Sequence, residues 1–387
     1  MRFSSRLDWA SRPNRLTELL AARRAAGALI LDLTESNPTR AGFDYDKQAI
    51  LSPLAADALL DYRPHPAGLR AARRAVAGYY AARGYDVDLN RILLTAGTSE
   101  AYGFLFKLLA DPGDEVLVPR PSYPLFDYLA RLEGVEARQY RLVYDHGWWL
   151  DLDSVRAALS ERTRAVVAVN PNNPTGHFLK SDEQQALVAL CAQCGLALIT
   201  DEVFYDYALG APRPRAPSGV TIQEALSFTL NGLSKLAGLP QMKLAWIVVG
   251  GPPGAREDAV ARLELIADTY LTVATPAQEA AAAWLAWGER FQRRLRARLE
   301  SNLAHLRTAL AEAPAGVLEC EGGWYAILRL PRTCSDEEWA VELLRSQDVL
   351  TQPGYFYDLD EEACLVVSLL VEPQAFQEGI RRIAARL

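Results

Sequence analysis

Directly after the apolar run of residues 165–169 comes Asn170-Pro171-Asn172-Asn173-Pro174-Thr175-Gly176. The run is short and rich in β-branched and small apolar residues, which is typical of a strand buried on both faces of a parallel sheet. Three asparagines and two prolines within seven residues predict a rigid turn that presents amide groups at the end of that strand. Because ligands of parallel sheets bind beyond the carboxyl ends of the strands, we expect a site at this edge.

Five further apolar runs have the same character and predict neighbouring strands of the same sheet, at residues 91–95, 115–118, 196–200, 227–230 and 244–249. Helical patterns lie between them, for example at residues 99–109 and 182–194, and Gly195 is placed to end the second of these helices. Alternating strands and helices predict an α/β fold, with helices layered on a mainly parallel sheet.

The chain has 387 residues, more than the ~100–200 of a usual single domain, so we expect two domains. The first stretch, residues 1–45, begins with a helical pattern, and a long helix rich in Ala, Arg and Leu starts near Ala281. We expect residues 46–280 to form a large ligand-binding domain. The N-terminal arm of residues 1–45 and the segment 281–387 are expected to build a smaller domain from both ends of the chain.

The composition is that of an ordinary folded protein, with 50% hydrophobic and 23% charged residues. The net charge of −7 is spread along the chain, and no basic stripe favours nucleic acid. No stretch has the ~18 uninterrupted apolar residues of a membrane span, and the first residues lack the apolar core of a signal peptide. Five cysteines, an odd number, favour reduced thiols, so we expect a cytoplasmic protein that binds no membrane.

Two of these cysteines, Cys191 and Cys194, have the CxxC spacing of some zinc sites and redox motifs. Both lie within the predicted helix of residues 182–194, and no second CxxC or nearby histidine completes a zinc site. We therefore expect core packing at this position and no bound metal.

Three other strand ends carry residues that suit a flat, anionic ligand. Gly97, Thr98 and Ser99 open a helix, and free N–H groups and hydroxyls favour an anion there, although the same residues also make an ordinary helix start. Tyr123 stands in a proline-stiffened loop, where its ring could stack on a ligand or simply pack. Asp201 ends an apolar strand, and a buried carboxylate needs a partner such as a protonated ring nitrogen or a salt bridge.

The chain contains five lysines, and one of them, Lys235, stands in a turn of small residues after the predicted strand 227–230. A lysine removed from water has a lowered pKa and can form a Schiff base with a carbonyl compound. Its position at the site edge of the sheet favours this chemistry over that of a solvated surface charge.

In their order and spacing these motifs resemble those of the class I/II aminotransferases, the fold type I enzymes that depend on pyridoxal 5′-phosphate. The resemblance extends over nearly the whole chain, from Ser36-Asn37-Pro38 through Gly322-Gly323-Trp324 and Pro353-Gly354 to the last helix. It implies a three-layer α/β/α large domain with a mostly parallel, seven-stranded sheet of the aspartate aminotransferase type, plus a smaller α+β domain. It also implies a homodimer with shared active sites that transfers an amino group between an amino acid (or amine) and a keto acid.

The resemblance also assigns a role to each motif residue. Lys235 carries the Schiff base and later acts as the base at the α carbon, Asp201 pairs with the pyridine nitrogen, and Asn173 binds the ring oxygen. Tyr123 stacks on the ring. The residues expected to hold the phosphate are Gly97, Thr98, Ser99, Ser234 and Lys243, with Tyr62 reaching the phosphate of the neighbouring subunit. The residues expected near the substrate are Asn37, Arg40, Arg63 and Trp324.

The sequence departs from the family pattern at two of the cofactor positions. Phe204 stands where the family commonly has a tyrosine that donates to the ring oxygen, and Tyr205, one residue later, points in a different direction. With that donor missing, we expect the pKa of the Schiff base to be raised. Lys243 replaces an arginine at the phosphate and supplies a point charge without the bidentate fork.

A third departure concerns the substrate. Val366 takes the place of an arginine that binds the substrate α-carboxylate in the family, which removes a strong charge-assisted interaction. Either another cation takes over, with Arg40 and Arg63 as the nearest candidates by motif position, or the substrate lacks an α-carboxylate.

Other functions remain open beside the aminotransferase. A β-eliminating lyase or a decarboxylase would use the same residues, because the reaction depends on which bond of the α carbon stands perpendicular to the cofactor ring. A non-catalytic relative is disfavoured by the joint presence of Lys235, Asp201 and Asn173. A nicotinamide-dependent dehydrogenase would need a GxGxxG motif after a strand, which this sequence lacks.

Overall fold

The computed structural model describes residues 3–9, 13–211 and 213–387. The α-helices are α1 (Arg15–Ala25), α2 (Lys47–Leu51), α3 (Arg70–Ala81), α4 (Thr98–Leu109), α5 (Leu125–Leu132), α6 (Leu152–Ala158), α7 (Ser181–Cys194), α8 (Leu233–Leu236), α9 (Pro253–Tyr270), α10 (Thr275–Glu279), α11 (Ala281–Ala309), α12 (Asp336–Gln347) and α13 (Pro373–Arg386). The strands are β1 (Leu31–Asp32), β2 (Ile92–Thr95), β3 (Glu115–Arg120), β4 (Glu136–Tyr144), β5 (Trp148–Leu150), β6 (Thr163–Val169), β7 (Ala197–Asp201), β8 (Ser227–Gly232), β9 (Ala245–Gly250), β10 (Gly316–Val317), β11 (Tyr325–Arg329), β12 (Val349–Leu350), β13 (Gln352–Pro353) and β14 (Cys364–Ser368).

The large sheet has the strand order β2-β9-β8-β7-β6-β3-β4-β5. Strands β9 and β5 pair antiparallel with their neighbours, and the other pairings are parallel. All six apolar runs form strands of this sheet, as predicted. The expected number of seven strands is wrong by one, because the sheet has eight. The short edge strand β5 folds back on β4, whose largely exposed, polar side chains give no apolar run in the sequence.

The sheet separates two hydrophobic cores, because alternate side chains of each strand point to opposite faces. On β7, Leu198 belongs to a core that includes residues of α3, α7 and α11. Its neighbour Ile199 belongs to a core that includes residues of α4, α5 and α9. This arrangement confirms the three-layer α/β/α architecture, with helices on both faces of the sheet.

The two ends of the chain meet beside this domain. Strand β1 pairs in parallel with β12, and the backbone N–H of Ser368 donates to the carbonyl of Leu33 at 2.7 Å. A separate antiparallel sheet has the order β10-β11-β14-β13. Helix α11 begins at Ala281 and packs against α3 as well as α13, so it contacts both parts of the chain. The domain boundaries at residues 45/46 and 280/281 stay a prediction.

The CxxC cysteines both lie on α7; core packing is confirmed for Cys191, which is buried, and is wrong for Cys194, which is exposed. Among the described residues, no group of three histidine, cysteine or acidic side chains is arranged to hold a metal ion. Within the same ranges, no helix combines the length and the apolar character that a membrane crossing requires.

Six of the polar motifs lie at one edge of the large sheet. The parallel strands β2, β3, β6, β7 and β8 end there. Strand β9 runs in the opposite direction, so its beginning, next to Lys243, lies at the same edge. The fold therefore brings the residues from five strand ends and one strand start together, which is where a ligand is expected in such a sheet.

The turn that follows α8 packs tightly against α11. Gly238 has a left-handed backbone with φ +64°, and a Cβ atom at this position would overlap the ring of Phe291. The Phe291 side chain is itself fully buried. Glycine is therefore required here both by the backbone conformation and by the space available.

We expect Gly238→Ala to lower the free energy of unfolding by about 1–3 kcal/mol or more, through backbone strain and overpacking. Urea denaturation would measure this change. Gly254→Ala is the matched control, because a methyl group near the start of α9 meets no atom within 4 Å. Equal unfolding midpoints for the two variants would contradict the expectation.

A second carboxyl, that of Glu202, is buried beside the end of β7. It accepts hydrogen bonds from the Ser218 hydroxyl at 2.6 Å and the Gly219 backbone N–H at 2.7 Å. Burial nevertheless raises its pKa to about 8. The folded chain therefore binds this proton more tightly than the unfolded chain. The resulting stabilisation is complete below the ordinary glutamate pKa and is lost as the pH rises towards 8.

Glu202→Gln removes the ionisable group. Between about pH 6 and about pH 9, the free energy of unfolding should therefore fall by more than ~1 kcal/mol less in the variant than in the wild type. Urea titrations at the two pH values test this. In the variant the amide NH2 group also faces one of the two donors, the Ser218 hydroxyl or the Gly219 N–H. This lowers the free energy of unfolding by an amount that does not depend on pH. The exposed Glu257→Gln serves as control. An identical pH dependence of Glu202→Gln and wild type would show that Glu202 is ionised in the folded protein.

Candidate active site

Lys235 lies in α8, which begins directly after β8. Side chains from other parts of the chain bind four successive backbone carbonyls of this turn. The Tyr207 hydroxyl donates to Lys235 O at 2.6 Å, Gln292 Nε2 to Leu236 O at 3.0 Å, Trp287 Nε1 to Ala237 O at 3.1 Å and the Tyr45 hydroxyl to Gly238 O at 2.8 Å. Each such bond contributes roughly 0.5–1.5 kcal/mol. We call these bonds the carbonyl clamp; they fix the backbone that carries the Lys235 amine.

The Lys235 amine lies in largely apolar surroundings. Its Nζ is 5.1 Å from the ring centroid of Trp324 and 5.8 Å from that of Phe204. Burial lowers the pKa of the amine, and the negative charge of Asp201 partly opposes this shift. The amine makes no hydrogen bond or salt bridge within the described ranges. A lysine in this state is more readily deprotonated and nucleophilic near neutral pH than one in water.

Asp201 is only 8% exposed and is held by two donors. Oδ1 accepts from the Val203 backbone N–H at 3.1 Å, and Oδ2 accepts from the Tyr102 hydroxyl at 2.9 Å. Burial raises the pKa of Asp201 despite these bonds and the nearby Lys235. A cation placed against this carboxylate would therefore be strongly stabilised. The contribution of Tyr102 was not predicted from the sequence.

The asparagine turn follows β6 and packs beside β7. Asn172 Nδ2 donates to Pro121 O and to Thr175 Oγ1, both at 3.0 Å. Asn170 Oδ1 accepts from the Leu179 backbone N–H at 3.1 Å. Each of the three asparagines keeps one buried side-chain atom without a hydrogen-bond partner in the described part of the chain: Asn170 Nδ2, Asn172 Oδ1 and Asn173 Oδ1. Asn170 and Asn172 stabilise the turn with their other atoms, and the turn as a whole retains unused hydrogen-bonding capacity.

A cradle for an anion forms where α4 begins. Gly97 precedes α4 without a side-chain cap, so the first N–H groups of this helix are available. A Cβ atom on Gly97 would lie 3.4 Å from Lys243 Nζ, which places the Lys243 ammonium directly beside this helix start. Thr98 is partly buried and Ser99 exposed at the same point. The nearby Glu100 turns back and accepts from the Ala96 N–H at 2.7 Å.

Phe204 offers no hydroxyl to the site and instead packs edge-on against Trp324, with 5.3 Å between ring centroids. Tyr205 points away, since its hydroxyl donates to Ala216 O at 3.0 Å and lies 3.3 Å from the Tyr85 hydroxyl. Tyr205 therefore does not take the place of the missing tyrosine, as expected from the sequence.

A group of residues beside Phe204 has no counterpart in the sequence analysis. Tyr325 is buried, and the Ser36 hydroxyl and the charge of Glu35 lie close enough to act on its pKa. The pKa of Tyr325 is raised to about 12, mainly by burial. Tyr123 lies close enough to raise the pKa of Tyr325, and both of these tyrosines raise the pKa of Tyr357. These residues come from four separate parts of the chain, so no local motif marks them.

Several residues expected near the substrate or the phosphate lie on the surface of the single chain. Tyr62 is 72% exposed. Arg63 is exposed and pairs with Asp61 at 2.6 Å. Arg40 is exposed, and Asn37 Oδ1 accepts from its own turn, from the backbone and hydroxyl of Thr39. Their roles stay predictions.

Relatives with curated names match a large part of this chain. The glutamate-pyruvate aminotransferase AlaA of Escherichia coli K12 is 32% identical over 259 residues, which are 66% of this chain and 63% of the relative. The match thus spans less than two thirds of that relative's length. An alanine aminotransferase of Mycobacterium bovis is 29% identical over 344 residues, or 86% of this chain and 80% of the relative. The S-alkyl-thiohydroximate lyase SUR1 of Arabidopsis thaliana is 28% identical over 82% of this chain and 70% of its own length.

Solved structures share the fold over its whole length. An aminotransferase from Escherichia coli superposes with a TM-score of 0.87 at 24% identity, covering 100% of this chain and 98% of that one. The alanine aminotransferase from Pyrococcus furiosus gives 0.87 at 23% identity, covering 100% and 99%. The family model for aminotransferase class I and II matches residues 32–383. This family depends on pyridoxal 5′-phosphate, so the fold class and the cofactor expected from the motifs are confirmed. The chain belongs to the aminotransferase class I and II family.

Proposed function

We propose that the protein is a pyridoxal phosphate-dependent aminotransferase in which Lys235 holds the cofactor through its amine. The main support for this proposal is that the pKa values of Lys235 and Asp201 are shifted in opposite directions. Burial lowers the pKa of the Lys235 amine and raises that of the Asp201 carboxyl at the same edge of the sheet. Strongly shifted pKa values of this kind cluster at functional sites.

The residues present fit the cofactor. Asp201 would bind the protonated pyridine nitrogen, and the Nδ2 group of Asn173 would donate a hydrogen bond to the ring oxygen. Tyr123 would stack on the ring. The phosphate would be held by Gly97, Thr98, Ser99, Ser234 and Lys243, and the closeness of Lys243 Nζ to Gly97 supports this cradle. When bound, the cofactor supplies an electron sink and a carbonyl group that can be exchanged for an amine.

The protein side chains would direct this chemistry. With a lowered pKa, Lys235 can accept the proton of the substrate α carbon near neutral pH and return it at a neighbouring carbon. The carbonyl clamp fixes the backbone that carries this amine, and the rings of Phe204 and Trp324, 5.8 Å and 5.1 Å away, shield it from water.

We further propose a cytoplasmic homodimer with shared active sites. Large apolar side chains are exposed near Tyr62, among them Leu60, which is 91% exposed, and Tyr270, which is 51% exposed. Tyr62 and Arg63 also line a surface pocket with Leu271. In a dimer this surface would be covered, and Tyr62 would reach the phosphate bound by the partner subunit. The free cysteines of the described residues agree with a reducing compartment.

A β-eliminating lyase is the second candidate function. It is supported by the similarity to the Arabidopsis lyase, which covers 82% of this chain. The site residues named above would serve both reactions, so only the products separate them.

Borohydride reduction of the cofactor-loaded protein should attach the cofactor irreversibly to Lys235, and peptide mass mapping would find it there. Lys235→Ala should lose this label, whereas the exposed Lys47→Ala should keep it. Adding an amino donor to unreduced protein should change the absorbance spectrum of the cofactor and release one molecule of carbonyl product per active site. Release of ammonia with pyruvate instead would assign the protein to the lyases, and a label on another lysine would refute the assignment of Lys235.

Tyr102→Phe removes one donor from the Asp201 carboxylate and should weaken cofactor binding about tenfold or more, since a bond to a charged group contributes ~1.5–3 kcal/mol. Equilibrium dialysis against pyridoxal phosphate measures the affinity without turnover. The partly exposed Tyr128→Phe is the control, because its hydroxyl makes no hydrogen bond within the described residues. Unchanged affinity of Tyr102→Phe would show that Val203 alone suffices to hold Asp201.

A further inference from the structure

Asp206 is a carboxylate at which two distant parts of the chain meet. It follows Asp201 in the connection after β7. Its Oδ1 accepts from Arg83 Nε at 2.9 Å, and its Oδ2 accepts from Arg83 Nη2 at 3.1 Å. Oδ2 also accepts from the Tyr79 hydroxyl at 2.9 Å and from Gln292 Nε2 at 3.0 Å. Side chains of the α3 region and of α11 are thus held by one carboxylate.

Through Tyr79, this carboxylate is linked to the start of the turn that carries Lys235, which we call the lysine turn (residues 232–238). Asn231 Nδ2 donates to the Tyr79 hydroxyl at 3.2 Å. The hydroxyl is free to accept this bond because its own proton goes to Asp206. Asn231 Oδ1 in turn accepts from the backbone N–H of Gly232 at 2.7 Å, and Gly232 directly precedes α8.

Through Gln292, the same carboxylate is linked to the other side of the lysine turn. Gln292 Nε2 has two hydrogens, and it donates to Asp206 Oδ2 and to the backbone carbonyl of Leu236, both at 3.0 Å. An amide turned by half a rotation would place its oxygen against two acceptors. The bond to the charged carboxylate is the stronger of the two. Asp206 therefore decides which way the Gln292 amide faces the lysine turn.

The surroundings of Asp206 keep the carboxylate in a fixed orientation. Its side chain is only 14% exposed, and that of Arg83 is 22% exposed. The guanidinium of Arg83 binds both carboxylate oxygens, lies 3.8 Å from the centroid of the Tyr79 ring and donates to Tyr79 O at 3.0 Å. Such a bidentate and stacked arginine permits little rotation of its partner. Without the carboxylate, a partly buried cation and two further donors would lack their acceptor.

We propose that Asp206 is a positioning residue for Lys235. Its hydrogen bonds reach residues on both sides of Lys235, through Asn231 and through Gln292, and its own backbone continues from Asp201. The carboxylate thereby sets the position of the Lys235 amine relative to the Asp201 carboxylate. The proposal rests on the proposed function, because the reaction of Lys235 with the cofactor is what requires this position.

The test follows cofactor uptake by Asp206→Asn, which needs no turnover. In this step the Lys235 nitrogen replaces the oxygen of the cofactor's aldehyde, which leaves as water. The amide of the variant offers one acceptor oxygen for four hydrogen bonds. We expect Schiff-base formation, measured by stopped-flow absorbance, to slow at least tenfold. The visible circular dichroism of the bound cofactor, divided by its absorbance, should fall at least twofold, because the ring is held less firmly.

Gln292→Met breaks only the link to Leu236 and should change both signals in the same direction, by a smaller factor. If Asp206→Asn does not fold, Gln292→Met decides alone. Gln184→Met is the matched control, because Gln184 is also a buried helix residue that binds a backbone carbonyl, that of Pro217 at 2.9 Å. It should lower the midpoint of urea unfolding and leave both cofactor signals unchanged.

The outcomes separate this proposal from the proposed function. Wild-type signals in Asp206→Asn, or equal losses in Gln292→Met and Gln184→Met, would overturn the positioning role while leaving the Schiff base of Lys235 intact. If the wild-type protein forms no Schiff base with pyridoxal phosphate, the proposed function itself is refuted.

Discussion

The rest of the structure depends on one constraint, which is that the Lys235 amine and the Asp201 carboxyl are both buried at the same edge of the large sheet. Lys235 and Asp201 each lose hydration, which favours the uncharged form of both groups. The pKa of the lysine is therefore lowered and that of the aspartate is raised. Without a ligand between them, two such groups destabilise a folded chain. The surrounding structure must therefore supply stability from other sources and prevent the two groups from relaxing towards solvent.

The scaffold meets this requirement in two ways. Two hydrophobic cores enclose the large sheet, so the strand ends that carry the site are anchored by buried apolar contacts on both faces. The backbone around the two groups is then fixed by polar contacts. The carbonyl clamp holds the lysine turn, and Tyr102 together with the Val203 N–H orients the Asp201 carboxylate. Preorganisation of this kind limits the rearrangement needed when charge develops during a reaction.

Much of this could be predicted from the sequence, because apolar runs followed by polar or glycine-rich turns are local signals. The six inner strands and the cluster of motifs at one edge follow from them. Strand β4 was missed because its exposed face is polar, and β5 because three residues give too short a pattern. Tyr102 and Tyr325 gave no signal, since their polar neighbours, Asp201 and Ser36, are far away in the chain. The same holds for Tyr45, whose hydroxyl donates to a backbone carbonyl 193 residues later in the carbonyl clamp.

The antiparallel direction of β9 has a consequence for how the site assembles. Lys235 and Lys243 both lie in the connection between β8 and β9, two strands that pair directly with each other. Asp201 and Asn173 come from strands that pair in parallel and need long crossovers. Contacts between residues close in sequence form faster, because less chain entropy is lost in closing the loop. The half of the site that carries the two lysines thus depends on contacts between residues close in sequence, whereas the burial of the Lys235 amine depends on contacts with residues far away in the chain.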